Sequence, residues 1–277
     1  MSTVYNKLPI AYRYNGVDCE YFQTRELSMA ELKQLQDRKA KINNPVLWVA
    51  KACCLIVEEL GGVKVYEQYM TTKVIPEVIK KMPMVCSTNI LVAGHIETLD
   101  HKIVDFPMDC PRCGHENEVN FDLLSLDVPT LDLTYEDLIV DVELSHGHFV
   151  DATLANNNGM DPTVPFKKLK LRLPRTEDVL ELEHEFNLSA NSLFLEKLIG
   201  KCIIEMEAED GALYPSDVLE RQKVGIITKL KPKDVQAIVR AQNKAFPKLD
   251  ISSQSVCEKC SNDIKYEIDS SFLFLMV

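Results

Sequence analysis

Glycine is scarce in this chain, 10 among 277 residues, and none of the motifs that use it to bring backbone against a ligand is present. There is no Gly-x-x-x-x-Gly-Lys-Ser/Thr phosphate loop, no dinucleotide fingerprint, no Gly-x-Ser-x-Gly elbow and no His-Glu-x-x-His pair, which removes the usual nucleotide cradles and hydrolytic sites. An enzyme with a non-local site stays open as a rival that no constellation supports, and a structural or assembly role gains by elimination. Positive charge is also short: 31 Lys and Arg face 42 Asp and Glu, for a net charge of −11. A general nucleic-acid binder needs a Lys/Arg-rich face to neutralise phosphates, so nucleic acid is not the expected partner. No apolar run nears the roughly 18 to 20 residues that a membrane span needs. Met1-Ser2-Thr3-Val4-Tyr5 carries no cationic segment ahead of an apolar one. A reducing cytoplasm is therefore the expected setting, where thiols bind metal or fill cores.

Cysteine, by contrast, is plentiful at nine. Four of the nine form two Cys-x-x-Cys pairs, Cys110-Pro-Arg-Cys113 and Cys257-Glu-Lys-Cys260, each followed by a polar-apolar alternation that reads as a strand. Two intervening residues let one tight turn aim both thiolates at a single tetrahedral ion, so each pair is half of a zinc site and two pairs complete one. The expected cofactor is one Zn2+ held by Cys110, Cys113, Cys257 and Cys260. The remaining five, Cys19, Cys53, Cys54, Cys86 and Cys202, read as small core residues.

The pairs also carry a register. Cys257 lies 147 positions after Cys110, and Cys260 lies 147 after Cys113. The same shift lays Ile56-Val57-Glu58 on Ile203-Ile204-Glu205, Leu91-Val92 on Ile238-Val239 and Leu35 on Leu182. This pattern indicates a tandem duplication: an α+β chain of two related, mostly helical domains with short strands, each ending in a cysteine knuckle. The expected division is residues 1–130 as the first repeat, 131–164 as an acidic linker with room for one strand, and 165–277 as the second repeat.

Within the first half, Tyr12 to Phe22 reads as a hairpin turning at Gly16. Ser28-Met29-Ala30-Glu31 has the form of a capping box that opens a helix running to Ile42. Pro45 sits at the first position of a second helix, apolar on nearly every face, expected to run to Leu60 and stop at Gly61-Gly62. A bend is expected at Thr71-Thr72, then helices over Ile75–Lys81 and Val85–Ile96. In the second half Lys168 to Leu173 alternates as a strand, Thr176 is read as a helix cap, and Leu193–Met206 repeats the buried helix. Ser216 and Lys231-Pro232 start two more helices, ended by Phe246-Pro247.

Other features have plainer readings. A redox role for either Cys-x-x-Cys needs a helix starting at the second cysteine, and Gly114-His115-Glu116-Asn117 does not supply one. His115 reads as a surface residue, and His146-Gly147-His148, with no third ligand nearby in sequence, as an exposed strand or linker. Asn156 to Asp161 lacks the acidic ligands of a calcium loop and reads as a turn. The six closing apolar residues, Phe272, Leu273, Phe274, Leu275, Met276 and Val277, are either a last piece of this chain's own core or a partner-binding surface; both readings stand.

Leu171-Arg172-Leu173-Pro174-Arg175-Thr176-Glu177-Asp178, the helix with Leu195-Glu196-Lys197-Leu198-Ile199-Gly200-Lys201-Cys202-Ile203, the knuckle Cys110-Pro111-Arg112-Cys113-Gly114-His115-Glu116 and the closing Phe272-Leu273-Phe274 together carry a resemblance. The chain resembles the baseplate hub subunit and hub assembly proteins of T4-like contractile-tailed phages, and differs in carrying two copies of the unit. The resemblance implies a structural or assembly component that binds other phage tail proteins, found in the host cytoplasm during assembly and in the virion baseplate. A cytoplasmic zinc-ribbon protein contacting nucleic acid or the transcription machinery is the rival reading, opposed by the acidic charge. Oligomeric state is left open by the sequence.

Overall fold

A computed structural model describes residues 5–36, 45–126, 128–150, 152–157, 161–182, 194–215, 227, 229–246, 249–268 and 273–274. The chain divides into two compact units. The first comprises Met1–Lys80, Val85–Leu131 and Lys248–Val277, and the second Lys81–Met84 and Asp132–Pro247. Among the described residues no helix is long and apolar enough to cross a membrane.

The first unit opens with the expected hairpin, β1 (Tyr5–Tyr14) and β2 (Val17–Thr24), closed by Asn15 and Gly16, both at positive φ. Helix α1 (Met29–Leu35) follows with the capping box in place: the Ser28 amide donates to Glu31 Oε2 at 2.7 Å while the Glu31 amide donates to Ser28 Oγ. Residues 37–44, where this helix was expected to continue to Ile42, lie outside the described residues. Helix α2 (Pro45–Ile56) has Pro45 at its start and buries Val46, Trp48, Ala50, Ala52, Cys53, Cys54, Leu55 and Ile56, as its apolar periphery requires. The Trp48 indole N–H donates to the Leu35 carbonyl, satisfying an acceptor at the end of α1 that helix geometry leaves unpaired.

Helix α2 does not reach Leu60. Val57–Leu60 form β3, which pairs antiparallel with β2 on one side and with β4 (Val63–Lys64) on the other, giving the sheet order β1-β2-β3-β4. The physical reason is the open edge of β2, whose amide and carbonyl groups are satisfied by a strand and not by a further helical turn. Gly61 and Gly62 end the strand at positive φ; a Cβ on Gly61 would sit 2.4 Å from Cys19 Sγ. Thr71 and Thr72 do not bend the chain either. They close α3 (Val65–Thr72), which stops at Lys73 in the left-handed conformation. Helix α4 (Ser87–Thr98) packs on α2, and Gly94 lets Ile56 approach so closely that a Cβ there would meet Ile56 Cγ2 at 2.6 Å.

The second unit repeats this plan. Strands β7 (Val140–His148), β8 (Phe166–Leu171), β9 (Ile203–Ala208) and β10 (Leu213–Pro215) form a sheet of the order β10-β9-β8-β7. Between β8 and β9 stand α5 (Thr176–Leu180) and α6 (Phe194–Cys202), and α6 passes directly into β9 as α2 passes into β3. The helix expected over Leu193–Met206 is thus cut at Cys202 by the same strand demand. The segment expected to link the halves supplies β7, whose inward Val140, Val142 and Leu144 join a core with Phe166, Leu169, Leu171, Met206 and Ile238. Helix α7 (Pro232–Ala245) begins on its proline as the sequence predicts. Thr176 is the first residue of α5 and not its cap; its hydroxyl donates to the Met82 carbonyl, and the reciprocal bond runs from the Arg175 amide to Asp178 Oδ2 at 2.7 Å. Ser216, Pro247 and residues 158–160 of the Asn156–Asp161 stretch lie outside the described residues.

Two hairpins complete the first unit: β5 (Lys102–Asp109) with β6 (Glu116–Asp122), and β11 (Ser252–Val256) with β12 (Asp263–Glu267). The second hairpin, read from the sequence as the end of the second repeat, is packed in the first unit.

Candidate metal centre

Each cysteine pair sits in the turn of one of these hairpins, and the two turns have the same hydrogen bonding. The Cys110 amide donates to the His115 carbonyl at 2.8 Å and the Gly114 amide to the Cys110 carbonyl at 2.8 Å. In the other hairpin the Cys257 amide donates to the Asn262 carbonyl at 2.9 Å and the Ser261 amide to the Cys257 carbonyl at 2.9 Å. Gly114 and Ser261 both take positive φ, 67° and 54°. The turn therefore holds its shape even where the residue is not glycine.

The strands leaving the turns alternate as the sequence suggested. Asn117, Val119 and Phe121 point inward from β6, Ile264 and Tyr266 from β12, and the residues between them are exposed. This shared apolar interior brings the two turns together. Cys110 Sγ lies 3.8 Å from Cys260 Sγ, and Cys113 Sγ lies 3.7 Å from Cys257 Sγ. All four sulfurs lie within 4.8 Å of one another. Cys110 and Cys257 are buried, Cys260 is half-buried and Cys113 is exposed, so the cluster is closed on one side and reachable on the other.

Asn117, which the sequence reading passed over, ties the hairpins at the site. Its Nδ2 donates to the His115 carbonyl at 2.8 Å, and its Oδ1 accepts from the Glu258 amide at 3.2 Å. The available signal was a polar residue on the inward phase of an otherwise apolar alternation. Ile264 stands in the same place on the other strand; Tyr266, two residues on, has a buried hydroxyl that finds no hydrogen-bond partner among the described residues. His115 contributes its carbonyl and not its ring to this geometry.

The electrostatics of the thiols follow from their crowding. Burial opposes ionisation of Cys257, but the amides of Cys260 and Lys259 and the thiols of Cys260 and Cys113 donate to its sulfur and bring it down to about 6. The Asn262 amide works the same way on Cys260, but burial and the neighbouring sulfurs prevail and push it up to about 12. Four sulfurs this close cannot all carry charge without repulsion, and a bound cation would relieve it. Cys19, Cys53, Cys54, Cys86 and Cys202 are buried elsewhere as core residues; burial lifts the Cys53 thiol to about 12.

Of the terminal segment, Leu273 and Phe274 are fully buried, and the Phe274 ring meets His95 edge-on at 5.9 Å. These two side chains serve the core of the first unit and are not free for a partner. Phe272 and Leu275, Met276 and Val277 lie outside the described residues.

Paired cysteine hairpins converging on four sulfurs, beside a four-stranded antiparallel sheet, define a thiol-clustered α+β protein with the donor set of a metal centre. The chain belongs to the T4 bacteriophage base plate protein family, whose model matches residues 31–274. That span covers most of the chain, including both cysteine pairs. Comparison with curated proteins and with solved structures finds no match.

Proposed function

We propose that this protein is a structural or assembly component of the baseplate hub of a contractile phage tail, binding other tail proteins and catalysing no reaction, with one zinc ion stapling its two hairpins. The family assignment supports the baseplate role, and the observation that carries the zinc is the sulfur spacing. A tetrahedral ion with Zn–S bonds of about 2.3 Å places its ligands about 3.8 Å apart. Two sulfur pairs stand at 3.7 and 3.8 Å, each bridging one hairpin to the other. A disulfide would need about 2.05 Å, and unrelated core thiols have no reason to meet in a foursome.

The tandem duplication belongs to the same reading. A shift of 147 residues superposes both cysteine turns, both positive-φ positions, the ends of α4 and α7, and the pairing Asp109↔Glu116 on Val256↔Asp263. It also lays the Arg25–Glu31 ion pair on Arg172–Asp178. The proposed repeats run over 1–130 and 165–277; they cross the boundaries of the compact units because the second repeat's hairpin completes the first unit's metal centre. The closing segment Phe272–Val277 is proposed as the partner-binding surface, although Leu273 and Phe274 within it are buried in the first unit.

Elemental analysis of protein purified without chelator tests the metal: one zinc per chain is expected, and none refutes it. Cys110→Ser should release that zinc, expose the remaining thiols to a colorimetric reagent and lower the melting temperature, because each ligand closes the tetrahedron. Capture of the intact protein from infected cells should bring down tail proteins. Recovery of nucleic acid alone would overturn the structural role.

A further inference from the structure

The four-cysteine cluster has a chemistry of its own that neither Cys-x-x-Cys motif announces. Two of its close contacts run between the hairpins: Cys113 Sγ to Cys257 Sγ at 3.7 Å and Cys110 Sγ to Cys260 Sγ at 3.8 Å, across 144 and 150 positions of sequence. A bonded S–S pair stands at about 2.05 Å. Each cross-hairpin pair is therefore short of a covalent bond by less than about 2 Å, a step on the scale of side-chain rotation and not of hairpin movement.

A redox couple inside one motif lacks the helix start that activates such thiols. A couple between the hairpins has a different basis, the proximity that packing supplies, with Asn117 Oδ1 accepting from the Glu258 amide beside the cluster. Access is graded as well. Among the nine cysteines Cys113 is the exposed one, Cys260 is half-buried, and Cys110, Cys257 and the five core thiols are buried. An oxidant arriving from solution meets Cys113 first, and Cys257 lies behind it, within reach of Cys113 but shielded from solvent.

We infer that, when the cluster holds no metal, Cys113 and Cys257 are a disulfide-forming pair that locks the two hairpins covalently, with Cys110 and Cys260 as a second pair. The oxidant is a low-molecular-weight disulfide such as glutathione disulfide. Cys113, as thiolate, attacks one sulfur of the oxidant, forming a mixed disulfide and releasing one small thiolate. Cys257 then attacks Cys113 Sγ as thiolate, forming the Cys113–Cys257 bond and releasing the second small thiolate. The two protons lost by the protein end on the two small thiols; two cysteines are oxidised and one small disulfide is reduced. The inference rests on the sulfur geometry and exposure and does not require the proposed zinc.

The full-length protein, treated with chelator and then with glutathione disulfide, tests this by tryptic mapping without reduction after the remaining thiols are alkylated. Arg112 lies between Cys110 and Cys113, and Lys259 between Cys257 and Cys260. Trypsin therefore puts the four cysteines on separate peptides, and every pairing is distinguishable. The expected product joins the Cys113 peptide to the Cys257 peptide and, at higher oxidant, the Cys110 peptide to the Cys260 peptide. The oxidised, metal-free protein should also melt at a higher temperature than the reduced, metal-free one, and dithiothreitol should abolish the difference. Cys113→Ser should slow oxidation of the cluster by about tenfold or more; if that variant does not fold, the map of the unaltered protein decides alone. Disulfides within either motif, links between chains, or no oxidation overturn the inference. Absence of zinc on elemental analysis would refute the metal reading and leave this one standing.

Discussion

Arg25 and Arg172 each grip, with both arms of the guanidinium, a carboxylate six residues further on, Glu31 and Asp178. Each also donates to a backbone carbonyl near the end of a more distant helix, Leu55 of α2 for Arg25 and Lys201 of α6 for Arg172. Planar, paired hydrogen bonding of this kind is why lysine would not substitute. Burial alone would raise the Glu31 carboxyl, but the hydrogen bonds from Ser28, Tyr66 and Arg25 take it down to about 2. A carboxyl whose folded value lies below its unfolded one stabilises the fold above the unfolded value and loses that contribution as pH falls. The window for Glu31 therefore runs from about pH 4.5 down to about 2. Glu31→Gln should cost on the order of 2 kcal/mol at pH 7 and progressively less below pH 4.5. Denaturant unfolding of both proteins across that range checks it; a cost independent of pH would assign the loss to packing.

At the level of elements, the contact of α2 with α4 depends on the missing side chain of Gly94. In an isolated helix Gly→Ala helps by about 1 kcal/mol, yet here the new Cβ would lie 2.6 to 2.7 Å from three carbons of Ile56. A β-branched side chain has little rotamer freedom with which to yield, so overpacking should win and Gly94→Ala should destabilise by about 1 to 3 kcal/mol. Ile56→Val in the same chain should recover part of that loss, and a double-mutant cycle by thermal melting measures the recovery. The same junction shows where sequence reading stops. Pro45, Ser28, Glu31, Gly16 and Pro232 announce their turns and helix starts by local chemistry, which is why those elements were legible. The change from helix to strand at Ile56–Val57, and again at Cys202–Ile203, was not. Both sides of each junction are apolar, and only the neighbouring strand in the sheet decides which backbone satisfies its hydrogen bonds.

For the molecule as a whole, the four-cysteine centre was legible because spacing alone encodes a half-site, whereas Asn117 acts across 141 positions and leaves no local trace. The terminal segment divides along the same line: apolar character marked it, but only the fold shows that Leu273 and Phe274 are spent on the core. Deletion of Leu275–Val277 should thus leave the isolated protein folded and its zinc retained, yet reduce co-purification with tail proteins. Unfolding on this short deletion would make the segment ordinary core and remove it from the partner surface.

The pairing of Cys110 with Cys260 also sets an order in time. During synthesis the first hairpin emerges from the ribosome with two thiols and no counterpart, and waits for the second pair 147 residues later. At about 5 to 20 residues per second that interval is on the order of ten seconds. Until it ends, no ion can be fully enclosed, so a nascent or truncated chain lacks the closed first unit. On the proposed zinc reading, metal capture would act as a check on completeness, since only a chain translated through Cys260 could be stapled.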